Sequence, residues 1–230
     1  MQTKRSVTPK FWPIERKTKK YAITPSSGPH GKKKCIPLGI ILRDMLHYAN
    51  TAKEAKAILN NGFVKVDGCT RKSTNFPIGL MDVLTIGEEA YRILPDATGF
   101  YLQKISEDEV HIKPEKIVSK TTIKKGKTQL NLSDGRNVLV DKGDHETGDI
   151  VVFDVQKNVI KQLIKMKKGA LVIVTGGKNA GKIGRVEGIV TVKMHPSQVT
   201  IDVEGEKIIV PKEYVFVIGE KDAVIEIGDN

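Results

Sequence analysis

From about residue 90 onward the chain is a succession of short runs rich in Val and Ile, each closed by a glycine or an Asp-Gly pair. Few folds accommodate this pattern. β-Branched side chains are stiff and pack well on a pleated surface, and frequent glycine turns leave no room for long helices. Over 91–165 the pattern predicts strands at Tyr91–Leu94, Phe100–Ile105, Lys116–Lys124, Thr128–Leu132, Asn137–Val140 and Asp149–Val155, with turns at Ser133-Asp134-Gly135 and Gly148. Over 166–230 it predicts Ala170–Val174, Gly184–Val192, Gln198–Val203, Lys207–Val210 and Tyr214–Ile218, spaced closely enough for a small barrel. No internal repeat is detectable. Aromatics make up only 5% of the chain, so the cores must be built mainly from Val, Ile and Leu.

The stretch 35–90 reads differently. Leu38, Ile41, Leu42, Met45, Leu46 and Ala49 share one helical face, predicting a helix over Ile36–Ala49. Thr51 and Glu54 have the spacing of a capping box, ahead of a short helix whose apolar stripe is Ala55, Ile58 and Leu59. Asn60-Asn61-Gly62 ends it. Phe63, Val64 and Val66 form a strand, Asp67-Gly68 a tight turn, and Met81–Ile86 another strand. The fold class is therefore α+β.

The net charge is +11, and its placement is informative. Residues 1–34 carry 10 Lys and Arg against the single acid Glu15, whereas the remaining segments are neutral or nearly so. Pro9, Pro13, Pro25 and Pro29 interrupt this segment, and alone it cannot bury enough apolar surface to offset chain entropy. It is expected to be an extended arm that orders on a polyanionic partner. Lys4, Arg5, Lys10, Arg16, Lys17, Lys19, Lys20, Lys32, Lys33 and Lys34 supply cations for phosphates, and Trp12 and Tyr21 supply rings for stacking on unpaired bases, which together suit RNA.

Chemistry-bearing patterns are lacking elsewhere. Cys35 and Cys69 have no metal-ligand spacing and read as reduced thiols. His30, His47, His111, His145 and His195 form no ligand cluster, and no nucleophile motif is present, so no catalytic residue, metal or cofactor is expected. Gly176–Ile183 nearly matches a phosphate-binding loop, but Ile183 replaces the magnesium-binding Ser or Thr and the following residues are strand-like. It reads instead as a strand-to-strand loop offering Lys178, Lys182 and Arg185 to phosphodiesters. No apolar run is long enough for a membrane span, and the N-terminus lacks the apolar stretch of a signal peptide, so a cytoplasmic protein with no membrane partner is expected.

Ile36–Ile86 resembles the helix-helix-strand RNA-binding domain found in bacterial ribosomal protein S-four, some pseudouridine synthases and heat-shock RNA binders. The matching strings are Leu42–Leu46, the Thr51…Glu54-Ala55 start, Ile58–Gly68 and Asp82–Leu84. Gly169–Gly188 resembles a KOW motif, with Gly181 at the usual glycine position. Together with Pro9–Trp12, Ser27–His30, Phe76–Val83, Val174–Gly177 and Phe216–Gly219, they resemble the archaeal/eukaryotic ("e") type of the small-subunit ribosomal protein S-four family, over essentially the whole chain. The chain ends without the longer basic tail of eukaryotic members, which points to the archaeal type.

This resemblance implies an arm (1–34), a helix-helix-strand RNA-binding domain (35–90), a central β domain (91–165) and an SH3-like KOW barrel (166–230). It implies a ribosome-bound, non-enzymatic constituent contacting small-subunit ribosomal RNA and neighbouring ribosomal proteins, and no homo-oligomer. By position it also assigns RNA contacts to Arg43, Lys53, Lys56, Lys65, Arg71 and Lys72. An RNA-modifying enzyme would need a further catalytic constellation. A free transcription, translation or assembly factor, the alternative, would not be expected to match a ribosomal family end to end.

Overall fold

The computed structural model describes residues 3–15, 17–123, 126–141, 143, 145–157, 159–191 and 196–228. The chain divides into two compact units, 1–93 with 104–110, and 94–103 with 111–230. Its few helices and many antiparallel strands fit the α+β expectation.

In the first unit the basic segment is folded onto the body. A two-stranded ladder pairs β1 (Thr3–Lys4) with β2 (Tyr21–Ala22). Trp12 is only 2% exposed, and its indole Nε1 donates to the carbonyl oxygen of Cys35 at 2.8 Å. Arg5 ties the loop together by donating to Thr8 Oγ1 (2.7 Å) and the Ile14 carbonyl (2.6 Å). Further along, the Ser26 amide donates to the Asn75 carbonyl at 2.8 Å, and Gly28 sits so close to Pro77 that a Cβ there would lie 2.6 Å from the proline ring. His30 Nε2 bonds both carboxylate oxygens of the buried Asp82, at 3.0 and 2.9 Å. The expectation of a segment that orders only on its partner missed these anchors.

The first predicted helix is shorter than its apolar periodicity. Cys35–Pro37 (β3) pairs with Pro77–Gly79 (β6), and just beyond the facing prolines the Leu38 amide donates to the Phe76 carbonyl at 2.9 Å before the chain turns into a helix. Helix α1 (Leu38–Ile40) then runs into a π-helical turn (Ile41–Met45), and His47 leaves it with φ +55°. Helix α2 (Ala52–Asn60) starts with the predicted capping box: the Glu54 amide donates to Thr51 Oγ1, and the Glu54 carboxylate accepts from the Asn50 and Thr51 amides. A five-stranded sheet follows, ordered β5 (Cys69–Thr70), β4 (Val64–Val66), β7 (Val83–Ile86), β8 (Glu89–Asp96), β9 (Gly99–Lys104), and residues 94–103 of its last two strands belong to the second unit. Val83, Ala90 and Ile105 form a satellite core.

The second unit holds two further five-stranded sheets. In the first, β10 (Ile112–Thr122) changes partner half-way: Ile112–Lys116 pairs with β13 (Ile150–Asp154), and from Ile117 on the strand pairs with β11 (Thr128–Leu132), with a bulge between Ile117 and Ser119. β12 (Asn137–Val140) and β14 (Val159–Ile164) form the two edges. β14 has no counterpart in the sequence reading because Lys161 and Gln162 interrupt its apolar alternation. Ile117, Leu130, Leu132 and Val151 pack at the corner. The buried Lys113 lies between Glu115 (3.1 Å) and Asp134 (3.6 Å), so its charge is compensated. The second sheet is ordered β18 (Glu206–Pro211), β17 (Gln198–Val203), β16 (Ile183–Val190), β15 (Leu171–Val174), β19 (Val215–Gly219). The Lys116 ammonium donates to the carbonyls of Lys212, Glu213 and Val215 at 2.8–3.0 Å, joining the two sheets.

Two outcomes follow for stability. Trp12→Ala removes a fully packed ring and lowers unfolding free energy by about 3–5 kcal/mol, measurable by urea denaturation. Glu89 accepts from Lys104, Tyr48 and Tyr91, which lower its carboxyl from 4.5 to about 2. That contribution is complete above pH 4.5 and is lost as pH falls toward about 2. Glu89→Gln therefore flattens this part of the acid limb in thermal melts taken across the range.

Candidate nucleic-acid interface

The folded N-terminal segment still presents its lysines. Lys4, Lys10, Lys17, Lys19, Lys20, Lys32, Lys33 and Lys34 are exposed. Lys32–Lys34 form one 3-10 turn, with Lys32 reaching back to Thr3 Oγ1 at 3.3 Å. Tyr21 remains exposed, with the Lys20 ammonium 5.6 Å from its ring centroid, so this pair keeps the cation-and-ring character read from the sequence. Arg16 lies outside the described residues.

Two residues of the segment have other work. Trp12 was expected to stack on a base, but its ring is in the core and offers no face to a ligand. A large aromatic beside a short apolar domain gains more from burial than from solvent, and the Cys35 carbonyl satisfies its N–H. Arg5 is half-buried and holds the loop it belongs to.

Around α2, Lys53 and Lys56 are exposed one turn apart and therefore share a face. Glu54 between them is engaged at the cap, where the Asn50 amide and the Thr51 hydroxyl and amide lower its carboxyl pKa. Arg43 makes a two-pronged pair with Asp44 (2.7 and 3.0 Å) and its side chain is 10% exposed, so its charge is neutralised in place. Lys65 and Lys72 are exposed, whereas Arg71 is half-buried with its guanidinium 4.4 Å over the Phe76 ring.

The glycine-rich loop joins β15 to β16, so no helix follows it. Its glycines answer to packing: a Cβ on Gly176 would lie 3.0 Å from the Tyr214 ring, and Gly181 has φ +85° with Asp96 Cα 3.2 Å from where its Cβ would be. Lys178 and Lys182 are exposed on this loop. Arg185 is exposed as well, but away from this loop. It lies opposite Leu171 at the far end of β15, donating to the carbonyls of Gly169 (3.3 Å) and Lys221 (3.1 Å). Among the described residues, no group of His, Cys, Asp or Glu is placed to hold a metal ion, and no helix is long and apolar enough to cross a membrane.

The chain is similar along nearly its whole length to proteins named small ribosomal subunit protein eS4. That of Methanothermobacter thermautotrophicus is 43% identical, covering 97% of this chain and 94% of the relative. That of Archaeoglobus fulgidus is 42% identical, covering 99% and 98%. The chain belongs to this family. The family model described as Ribosomal family S4e matches residues 87–160, and the RS4NT (NUC023) domain model matches 2–33, the lysine-rich segment. The crystal structure of the 30S ribosomal protein S4e from Thermoplasma acidophilum is 30% identical and superimposes with a TM-score of 0.73, covering 81% of this chain and 95% of that one.

Exposed and internally engaged cations separate experimentally. Replacing Lys32, Lys33 and Lys34 with Gln lowers the slope of log affinity against log salt for RNA by roughly 0.7–0.9 for each phosphate no longer neutralised. Arg43→Gln leaves that slope unchanged, as filter binding across a salt series would show.

Proposed function

We infer that the protein is a structural constituent of the small ribosomal subunit that binds ribosomal RNA and takes part in translation as a scaffold. The observation that carries this is similarity of about 40% identity to eS4 proteins over almost the entire chain. The exposed lysines of residues 4–34, together with Lys53, Lys56, Lys65, Lys72, Lys178 and Lys182, are the phosphate-contacting set. Contacts of this kind position a protein, and RNA shape supplies selectivity. Neighbouring ribosomal proteins are further partners. The role is non-enzymatic and the protein acts on the ribosome, in the cytoplasm.

On this reading residues 35–90 are a helix-helix-strand RNA-binding domain, 91–165 a central β domain and 166–230 an SH3-like barrel. The helix pair and its sheet support the first assignment. The five short antiparallel strands of 171–219, with the Gly181 loop between β15 and β16, support a barrel with a KOW motif over Gly169–Gly188.

Sucrose-gradient fractionation of a cell extract at low and moderate salt tests the function. The expected result is co-sedimentation with small subunits that survives moderate salt. Recovery only as light, free protein, or with another RNA complex, would overturn the constituent reading in favour of a free factor.

A further inference from the structure

Phe63 is the most exposed aromatic side chain among the described residues, at 63%. Its position follows from strand alternation. Val64 and Val66 point into the core, so Phe63 and Lys65 share the opposite face of the sheet. Lys65 lies opposite Thr70 on one side and Thr85 on the other. Across from Phe63 the chain presents Gly87, whose amide donates to the Phe63 carbonyl at 3.2 Å and which has no side chain to cover the ring.

We propose that Phe63 and Lys65 form a nucleotide-stacking site for an unpaired base of RNA, a deepening that rests on the RNA-binding reading above. The ring gives the base a flat apolar face, and Lys65 two residues along neutralises its phosphate. The surroundings favour a base over a protein side chain. Asn60, Asn61, Lys65 and Thr70, which neighbour Phe63 in the chain or on the adjoining strand, are all exposed and polar, whereas a protein-docking anchor needs an apolar surround that excludes water. Glu88, exposed next to Gly87, repels phosphate at that end and places the backbone on the Lys65 side.

The test uses the full-length protein and in vitro transcribed small-subunit ribosomal RNA. Phe63→Ala is expected to weaken binding about 5- to 150-fold, the loss of one base–aromatic stack, without changing the salt slope. Lys65→Met is expected to lower that slope. Phe63→Trp is expected to keep affinity and to show emission quenched by RNA, beyond any change in the wild type, whose single Trp12 is buried. Unchanged Trp12 emission in free Phe63→Ala establishes that the variant is folded. If the wild type binds and Phe63→Ala binds equally well, the stacking site is wrong and the RNA-binding reading stands. If the wild type fails to bind, both fall. If Phe63→Ala keeps RNA affinity but loses a neighbouring ribosomal protein on subunit incorporation, the ring serves a protein contact and the proposal is overturned.

Discussion

The burial of one indole decides how this protein presents its charge. Residues 1–34 contain too little apolar surface to fold alone, yet Trp12 inserts into the first unit and gives its N–H to the Cys35 carbonyl. With that anchor in place, Arg5 closes the loop before it, and the Ser26, Gly28 and His30 contacts fix the chain after it. The lysines between these fixed points are held out on a defined surface instead of trailing from a free tail. A charge array that is ordered in advance forfeits less conformational entropy on docking than a disordered one.

The basic residues accordingly fall into two sets. Long cations engaged by nearby carbonyls or carboxylates stabilise the fold: Arg5, Arg43, Lys113, Lys116 and Arg185 are of this kind. Lysines on short turns and on the outer face of α2 point away from the body and remain exposed. Arginine is favoured in the first set because its planar fork meets two acceptors at once. Formal charge alone therefore overstates the surface available to a polyanion.

Much of the fold was legible because local chemistry was decisive. β11 and β17 fall at the residues their alternation predicts, and the Thr51–Glu54 box starts α2. The misses share a cause in tertiary context. Cys35–Pro37 has the apolarity of a helix start but finds its partner strand at Pro77–Gly79; β14 is too polar to announce itself; Trp12 looks like part of a solvated tail until its cavity is known. At the candidate interface, charge pattern alone picked out lysines that the fold leaves exposed. It could not tell that Arg43, Arg185 and Trp12 had internal partners, nor that Phe63, at the start of a predicted strand, would face outward.

The shared strand β10 has a consequence for how the chain reaches its folded state. One continuous segment supplies half of each of two ladders, and the Lys116 ammonium at the change of partner also gathers three carbonyls from 212–215. Neither ladder can close without fixing the strand that the other needs, so the two halves of this sheet gain their order together. The carbonyls that Lys116 requires lie about a hundred residues downstream, and contacts so distant in sequence form slowly. During synthesis β10 must therefore wait for the C-terminal strands before its corner is complete, leaving the N-terminal unit, with most of the exposed lysines, free to fold ahead of it.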